Sequence, residues 1–290
     1  MRLAAIIYKG APIAERIHQR TRRLVESLAA RGVRPSLAIV DATGDEAAAL
    51  FARAKVRAGA QLGIRAQTLS LSPAGCGREL IERLRDLAED PQVHGIIIES
   101  PLPREYQTLN PYSRVPPEKD VEGLHPYNLG RLFLGSPLFV PATAAACLEM
   151  LRFYEVPIAG RRAVVVGRSA VVGRPAALLL LAEDATVTIC HSRTQNLAAH
   201  TRQADILLVA AGRPRLITAS MLAPGAAVID VGTNVGPDGQ MVGDVDFEGV
   251  RLVASGVSPV RGGVGPVTTA LLLWNTAEAA RLQTAARGLQ

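Results

Sequence analysis

The stretch from Ala163 to Thr194 constrains this chain more than any other. It opens with AVVVG, a short apolar run rich in β-branched residues that predicts a buried strand. It continues through Arg168-Ser169-Ala170-Val171-Val172-Gly173-Arg174-Pro175 into a helical stretch, and then into a second strand, ATVTICHSRT. A strand that turns at glycine into a helix leaves backbone N–H groups unpaired at the helix start, where they favour an anion. This order is that of half a dinucleotide-binding sheet, whose ligand lies beyond the carboxyl ends of the strands. Gly167 and Gly173 are spaced G-x5-G rather than G-x-G-x-x-G, so the motif takes its force from the strand before it and the helix after it. The second strand ends His191-Ser192-Arg193, with no carboxylate to repel a ribose 2′-phosphate, so NADP is expected over NAD. The competing reading makes Arg168 and Arg193 ordinary surface arginines of an arginine-rich chain.

The rest of the chain says what such a half-sheet belongs to. At 290 residues, 48% of them hydrophobic, there is material for two ordinary cores. Before Ala163, helices expected at about 12–31, 45–62 and 79–88 alternate with strands at 36–41, 66–71 and 95–99, which predicts a mostly parallel α/β sheet. Residues 101–141 then hold eight of the nineteen prolines and read as an irregular segment, of the kind that is functional or a linker. A helix at 144–154 leads into strands at 163–166, 185–191, 206–210, 227–231 and 252–254. A last helix from about Val267 to Ala286 returns to the first domain. The expected division is a substrate domain of residues 1–141 joined by the C-terminal helix 267–290, and a Rossmann-like nucleotide domain of residues 142–266, with the active site in the cleft between them.

Composition excludes several classes. No apolar run approaches the ~18 residues of a membrane span, and MRLAAIIYKG lacks the h-region of a signal peptide, so a soluble cytoplasmic protein is expected. Cys76, Cys147 and Cys190 are odd in number and far apart in apolar surroundings, which suggests neither a disulfide framework nor a metal cluster. The net charge of +6 comes from dispersed arginines interleaved with acids, which fits an anionic small ligand and not a nucleic acid. Of the 32 basic residues only Lys9, Lys55 and Lys119 are lysines. Lysine can give up its proton where arginine cannot, so each is a candidate for proton chemistry or a compact charge contact. His125, His191 and Asp230 have blander readings, as a turn-stabilising hydrogen bonder, a neighbour of the cofactor rim and a turn cap.

Eight segments carry a resemblance. SPLP (Ser100–Pro103), EKDVEG (Glu118–Gly123), HPYNLGRL (His125–Leu132), VVVGRSAVVGRP, CHSRT, DVGTN (Asp230–Asn234), GDVDF (Gly243–Phe247) and RGGVGPVTT (Arg261–Thr269) together resemble the bifunctional methylenetetrahydrofolate dehydrogenase/cyclohydrolase family, in order and over almost the whole chain. The resemblance implies a two-domain α/β homodimer with a folate cleft over a NADP-binding Rossmann domain; no His, Cys, Asp or Glu spacing suggests a metal. It also implies two reactions, hydride transfer from 5,10-methylenetetrahydrofolate to NADP and hydrolysis of the methenyl product to 10-formyltetrahydrofolate. Transferred to this sequence, the catalytic group is Lys55, Glu99 and Glu122. Substrate contacts fall on Phe51, Pro101, Pro103, Arg261, Gly262, Gly263 and Pro266. Cofactor contacts fall on Gly167, Arg168, Ser169, Gly173, Ser192, Arg193 and Thr233.

Four of these residues depart from the family's pattern. Its Tyr-x-x-x-Lys pair reads Phe51-Ala52-Arg53-Ala54-Lys55 here, on one helix face but without the hydroxyl. Its Gln before Leu-Pro-Leu-Pro is Glu99, the second Asp of its Asp-Val-Asp-Gly is Glu122, and the Pro of its Pro-Gly-Gly-Val-Gly-Pro loop is Arg261. A carboxylate beside Lys55 favours the ammonium form, the wrong direction for a general base, unless Glu99 is itself the base. Hydrolysis is the step most exposed to these changes. Two alternatives therefore stand beside the bifunctional reading: a divergent paralogue with weak cyclohydrolase activity or another one-carbon substrate, and a non-catalytic nucleotide-binding module.

Overall fold

The computed structural model describes residues 5–72, 77–236 and 239–288. Along the chain come β1 (Ile6–Ile7), α1 (Ala11–Ala29), β2 (Ser36–Asp41), α2 (Glu46–Gln61), β3 (Arg65–Ser70), α3 (Gly77–Glu89), β4 (Gly95–Ile98), α4 (Arg104–Gln107) and α5 (Pro126–Phe133). There follow α6 (Ala142–Phe153), β5 (Arg162–Val166), α7 (Gly173–Ala182), β6 (Thr186–Cys190), α8 (Leu197–Thr201), β7 (Ile206–Val209) and β8 (Ala227–Asp230). The last are β9 (Asn234–Val235), β10 (Met241–Val242), α9 (Phe247–Val250), β11 (Gly256–Val257) and α10 (Val264–Ala286). The chain divides into two compact units. The first runs from Arg16 to Val140 and takes up the chain again from Thr269; the second holds the residues up to Glu15 and Pro141–Thr268.

The first unit is built on a parallel sheet of order β3-β2-β4. Central β2 is buried along its whole length, which is why Leu-Ala-Ile-Val reads as a continuous apolar run without alternation. Ala38, Val40, Ile96 and Ile98, on one face of the sheet, share a core with Leu80 and Leu84 of α3. Burial of each such leucine contributes about 1.5–3 kcal/mol. The distal part of α10 belongs to this unit. Asn275 Nδ2 donates to the Val121 carbonyl, Gln283 Nε2 donates to those of His94 and Glu118, and the Arg20 guanidinium lies over the Trp274 ring. Lys119 is buried, and its ammonium donates to the carbonyls of Leu87, Ala88 and Asp90 at the end of α3. Its retention has a structural cause: it caps a helix whose last carbonyls lack partners.

The second unit holds a six-stranded parallel sheet of order β1-β11-β8-β7-β5-β6. Its core packs Val164, Val166, Leu207, Val209, Val228 and Val257. The expected boundary at residue 141 needs correcting at the N-terminus. Strand β1 pairs with β11, and Tyr8 is buried against Gly256, so the residues up to Glu15 join the second unit. Three local expectations also shift. Residues 252–254 form a turn, and the strand is Gly256–Val257. The last helix starts at Val264, with Pro266 in its first turn, where a missing N–H costs nothing. The proline-rich segment contains an eight-residue helix, α5, whose N-cap His125 accepts a hydrogen bond at Nδ1 from the Tyr127 N–H at 2.9 Å. Cys147 and Cys190 are buried free thiols, and Cys76 lies outside the described residues. Among the described residues no helix is long and apolar enough to cross a membrane, and no group of His, Cys, Asp or Glu has the arrangement of a metal site.

Candidate active site

In the first unit the polar residues collect at the carboxyl end of β4. Helix α2 presents Phe51 and Lys55 four residues apart, hence on one face; the Phe51 ring is 48% exposed and the Lys55 side chain is largely covered. Glu99 follows β4 directly. Its N–H donates to the Val40 carbonyl and so continues the ladder one residue past the strand, and its carboxylate is ion-paired and hydrogen-bonded to Lys55 Nζ.

Successive amides of a strand point to opposite sides, and here that alternation positions a second carboxyl. Glu99 N–H faces β2, whereas Ile96 N–H faces away and donates to the Lys119 carbonyl at 2.8 Å, with Asp120 bridged to Ile96 in parallel. Two residues on, Ile98 N–H faces the same way and donates to Glu122. Burial raises the Glu122 carboxyl to about 8; the charges of Glu99 and Asp120 add to this, and Lys55 and the Ile98 amide oppose it. Glu122 is therefore mostly protonated at neutral pH, a hydrogen-bond donor beside an ion pair.

Asp120 fixes the loop that carries Glu122. Its two oxygens accept from the N–H groups of Gly123, Leu124 and His125 and from Asn128 Nδ2, at 2.7–3.1 Å. Burial raises its carboxyl and these donors oppose the rise. Beyond Glu99, Ser100 leads through a cis peptide to exposed Pro101, and half-buried Pro103 precedes α4. The short 3-10 turn Pro111–Arg114 brings the Tyr112 hydroxyl to 2.9 Å from Ser100 Oγ.

In the second unit a cavity of about 390 Å³ opens at the carboxyl ends of β5, β6 and β7, lined by Gly167, Arg168, Ser169, His191, Ser192, Thr194, Ala210, Ala211 and Arg213 among others. Both glycines are imposed by close backbone approach. A Cβ on Gly167, at φ 133°, would stand 2.2 Å from the Ala210 carbonyl oxygen, and one on Gly173 would stand 2.2 Å from that of Gly167. Ser169 Oγ accepts from the amides of Val172 and Gly173 at the start of α7, which leaves its own O–H to donate to a ligand. The hydroxyls and guanidinium groups around this one cavity form a set of donors suited to phosphate.

A carboxylate network holds the far wall. Asp244 accepts from the amides of Gly212 (2.9 Å) and Arg213 (2.7 Å) and from Asn234 Nδ2 (2.9 Å), which shapes the loop after β7. Asp230, at the end of β8, accepts from the amides of Gly232, Asp244 and Val245; burial still lifts its carboxyl to about 6.

Comparison with known proteins bears on what these two sites do. The family model described as tetrahydrofolate dehydrogenase/cyclohydrolase, catalytic domain, matches residues 8–122, and that of the family's NAD(P)-binding domain matches residues 141–284. The chain belongs to this family. It is an enzyme of the bifunctional dehydrogenase/cyclohydrolase type. Among relatives, the bifunctional protein FolD 1 of Paenarthrobacter aurescens is 50% identical over 277 residues, 96% of this chain and 94% of its own. The solved FolD enzyme of Campylobacter jejuni has a TM-score of 0.92 at 36% identity, covering 96% of this chain and 99% of that one. The Trypanosoma brucei enzyme, solved with NADP cofactor and an inhibitor, has a TM-score of 0.92 at 36% identity, covering 97% and 99%.

The residues expected to act in this family fall into separate sets. Lys55, Glu99 and Glu122 come together, with Phe51 on the same helix face as Lys55. Arg261, Gly262, Gly263 and Pro266 belong to the nucleotide unit. Gly167, Arg168, Ser169 and Ser192 line the cavity and Gly173 opens α7, whereas Arg193 and Thr233 are exposed and outside the lining. Arg193 N–H donates to His191 Nδ1. Sequence reasoning missed Arg213, Asp120 and Asp244. The last two stand in the segments EKDVEG and GDVDF, and several acids in one short motif signal a scaffold as readily as a catalyst.

Proposed function

We propose that Lys55, Glu99 and Glu122 serve the two reactions of this family, NADP-dependent oxidation of 5,10-methylenetetrahydrofolate and hydrolysis of the methenyl product to 10-formyltetrahydrofolate. The observation that carries this reading is the Lys55–Glu99 pair with the protonated Glu122 carboxyl beside it, a proton acceptor and a proton donor at one strand end. NADP, when bound, supplies the hydride acceptor. Its phosphates fit the donors of Arg168, Ser169 and Ser192, which line the cavity, with Arg193 and Thr233 as the further contacts that the family pattern implies. Phe51, Pro101 and Pro103 offer apolar surface for a pterin, and Arg261, Gly262, Gly263 and Pro266 are the further substrate contacts that the family pattern implies.

The first reaction asks mainly for alignment, because the two folate nitrogens stabilise the developing cation themselves. The second needs water and a proton acceptor. Water forms a C–O bond to the methenyl carbon and one of its protons passes to the Lys55–Glu99 pair. That proton returns to the folate nitrogen whose bond to the carbon breaks, and the second proton leaves to solvent as the formyl carbonyl forms. A homodimer in the cytoplasm is part of the same proposal, supported by the family pattern.

The test is a pair of assays on the purified protein: NADPH formation from methylenetetrahydrofolate, and the decay rate of methenyltetrahydrofolate. Both should be accelerated. NADPH formation without accelerated decay identifies a dehydrogenase whose pair no longer serves hydrolysis, and neither signal with NADP still bound rejects the folate reading.

A further inference from the structure

Phe51 lacks a hydroxyl, yet the Lys55 cluster is not without one. Pro111 opens the turn that carries Tyr112, and the Tyr112 phenol meets the hydroxyl of Ser100, the residue directly after Glu99. Burial and then the charges of Glu122, Asp120 and Glu99 push the phenol up to about 12, so it stays protonated at neutral pH and stands within the field of these carboxyls. Hydrogen counting then decides what is left over. Two hydroxyls bring two protons; one is used between Tyr112 Oη and Ser100 Oγ, whichever donates, and the other remains free to donate outward. Ser100 is exposed and Tyr112 half-buried, so that proton reaches space open to water.

We propose that Tyr112, paired with Ser100, supplies the hydroxyl that Phe51 cannot, and that it holds the attacking water beside the Lys55–Glu99 pair during hydrolysis. The proposal rests on the folate reading above. The competing role is packing: the Tyr112 ring also lies against the core of the first unit, and a ring that only packs has no use for its oxygen.

Tyr112→Phe keeps the ring and removes the oxygen. Its methenyl hydrolysis kcat should fall about tenfold or more, the effect of losing one positioning hydrogen bond, with KM for the methenyl compound and the dehydrogenase kcat changed at most about twofold. Adding Phe51→Tyr to that variant should restore hydrolysis. Unchanged hydrolysis in Tyr112→Phe, an equal fall in both reactions, or a fall that Phe51→Tyr does not repair overturns the proposal. A wild-type protein inactive in both assays fails the folate reading first and this one with it, so the two failures are distinguishable.

Discussion

At the scale of single residues, the site is defined by which acid carries a proton. The Glu99 carboxylate touches the Lys55 ammonium, whereas Glu122, near enough to feel both charges, is held mostly protonated by burial. Glu99→Gln leaves Lys55 Nζ without its ion-pair partner. We expect hydrolysis to rise about tenfold relative to dehydrogenation, measured in the paired assays. A fall in hydrolysis would instead make Glu99 the proton acceptor. Glu122 gives a pH-dependent signature. Its folded pKa, about 8, lies above the ordinary glutamate value of 4.5, so the folded chain binds more protons between these limits. The contribution to stability is complete below the ordinary value and is lost as pH rises through about 8. Glu122→Gln cannot ionise, so it should gain on the wild type by about 1–3 kcal/mol between pH 6 and pH 9, a figure discounted for the partial exposure of the side chain. Thermal melts of both proteins across that range would show it. A constant offset would mean that Glu122 ionises in the fold much as it does in water.

At the scale of elements, the two sites are made by different devices. The cavity of the second unit depends on backbone meeting backbone, at Gly173 as closely as at Gly167: a methyl group on Gly173 meets the Gly167 carbonyl, which no rotamer can move. Gly173→Ala should cost about 1–3 kcal/mol and abolish most NADP affinity, read by titration calorimetry, with the helical signal of the protein retained. Full affinity in the variant would show that the turn can open without consequence. The Lys55 cluster depends on strand amide alternation, with segment 119–122 laid along β4 so that Glu122 comes level with Ile98. This difference explains what the sequence revealed. The strand–turn–helix around Gly167 is local and could be read directly. So could Lys55 with Phe51, which share one helix. That Glu122 is protonated could not be read, because its cause is burial that only the folded chain produces. Tyr112 escaped notice for the same reason: it sits in a proline-rich stretch with no periodicity, and its relation to Ser100 appears only once the turn has folded.

At the scale of the whole molecule, the chain is threaded so that neither unit is one continuous segment. The first unit is completed by the distal part of α10, whose Leu272, Leu273, Ala277 and Ala280 are buried and whose Asn275 and Gln283 bond to carbonyls at residues 94, 118 and 121. The second takes its edge strand β1 and the buried Tyr8 from the N-terminus. The return of the last helix is an expectation the sequence carries, and the distal part of α10 packs in the first unit. The sequence did not show the part played by β1, since a two-residue strand leaves no pattern to read. Losing two buried leucines alone forfeits about 3–6 kcal/mol, against a total of about 5–15 kcal/mol for a typical domain. A chain cut between residues 140 and 141 should therefore yield two fragments, neither of which unfolds cooperatively by itself, and mixing them should recover the transition and the dehydrogenase activity together. If fragment 1–140 alone melts as sharply as the intact protein and at the same temperature, α10 adds nothing to the unit that holds Lys55. The interlocking of the two units along the sequence would then be a matter of connectivity without consequence for stability.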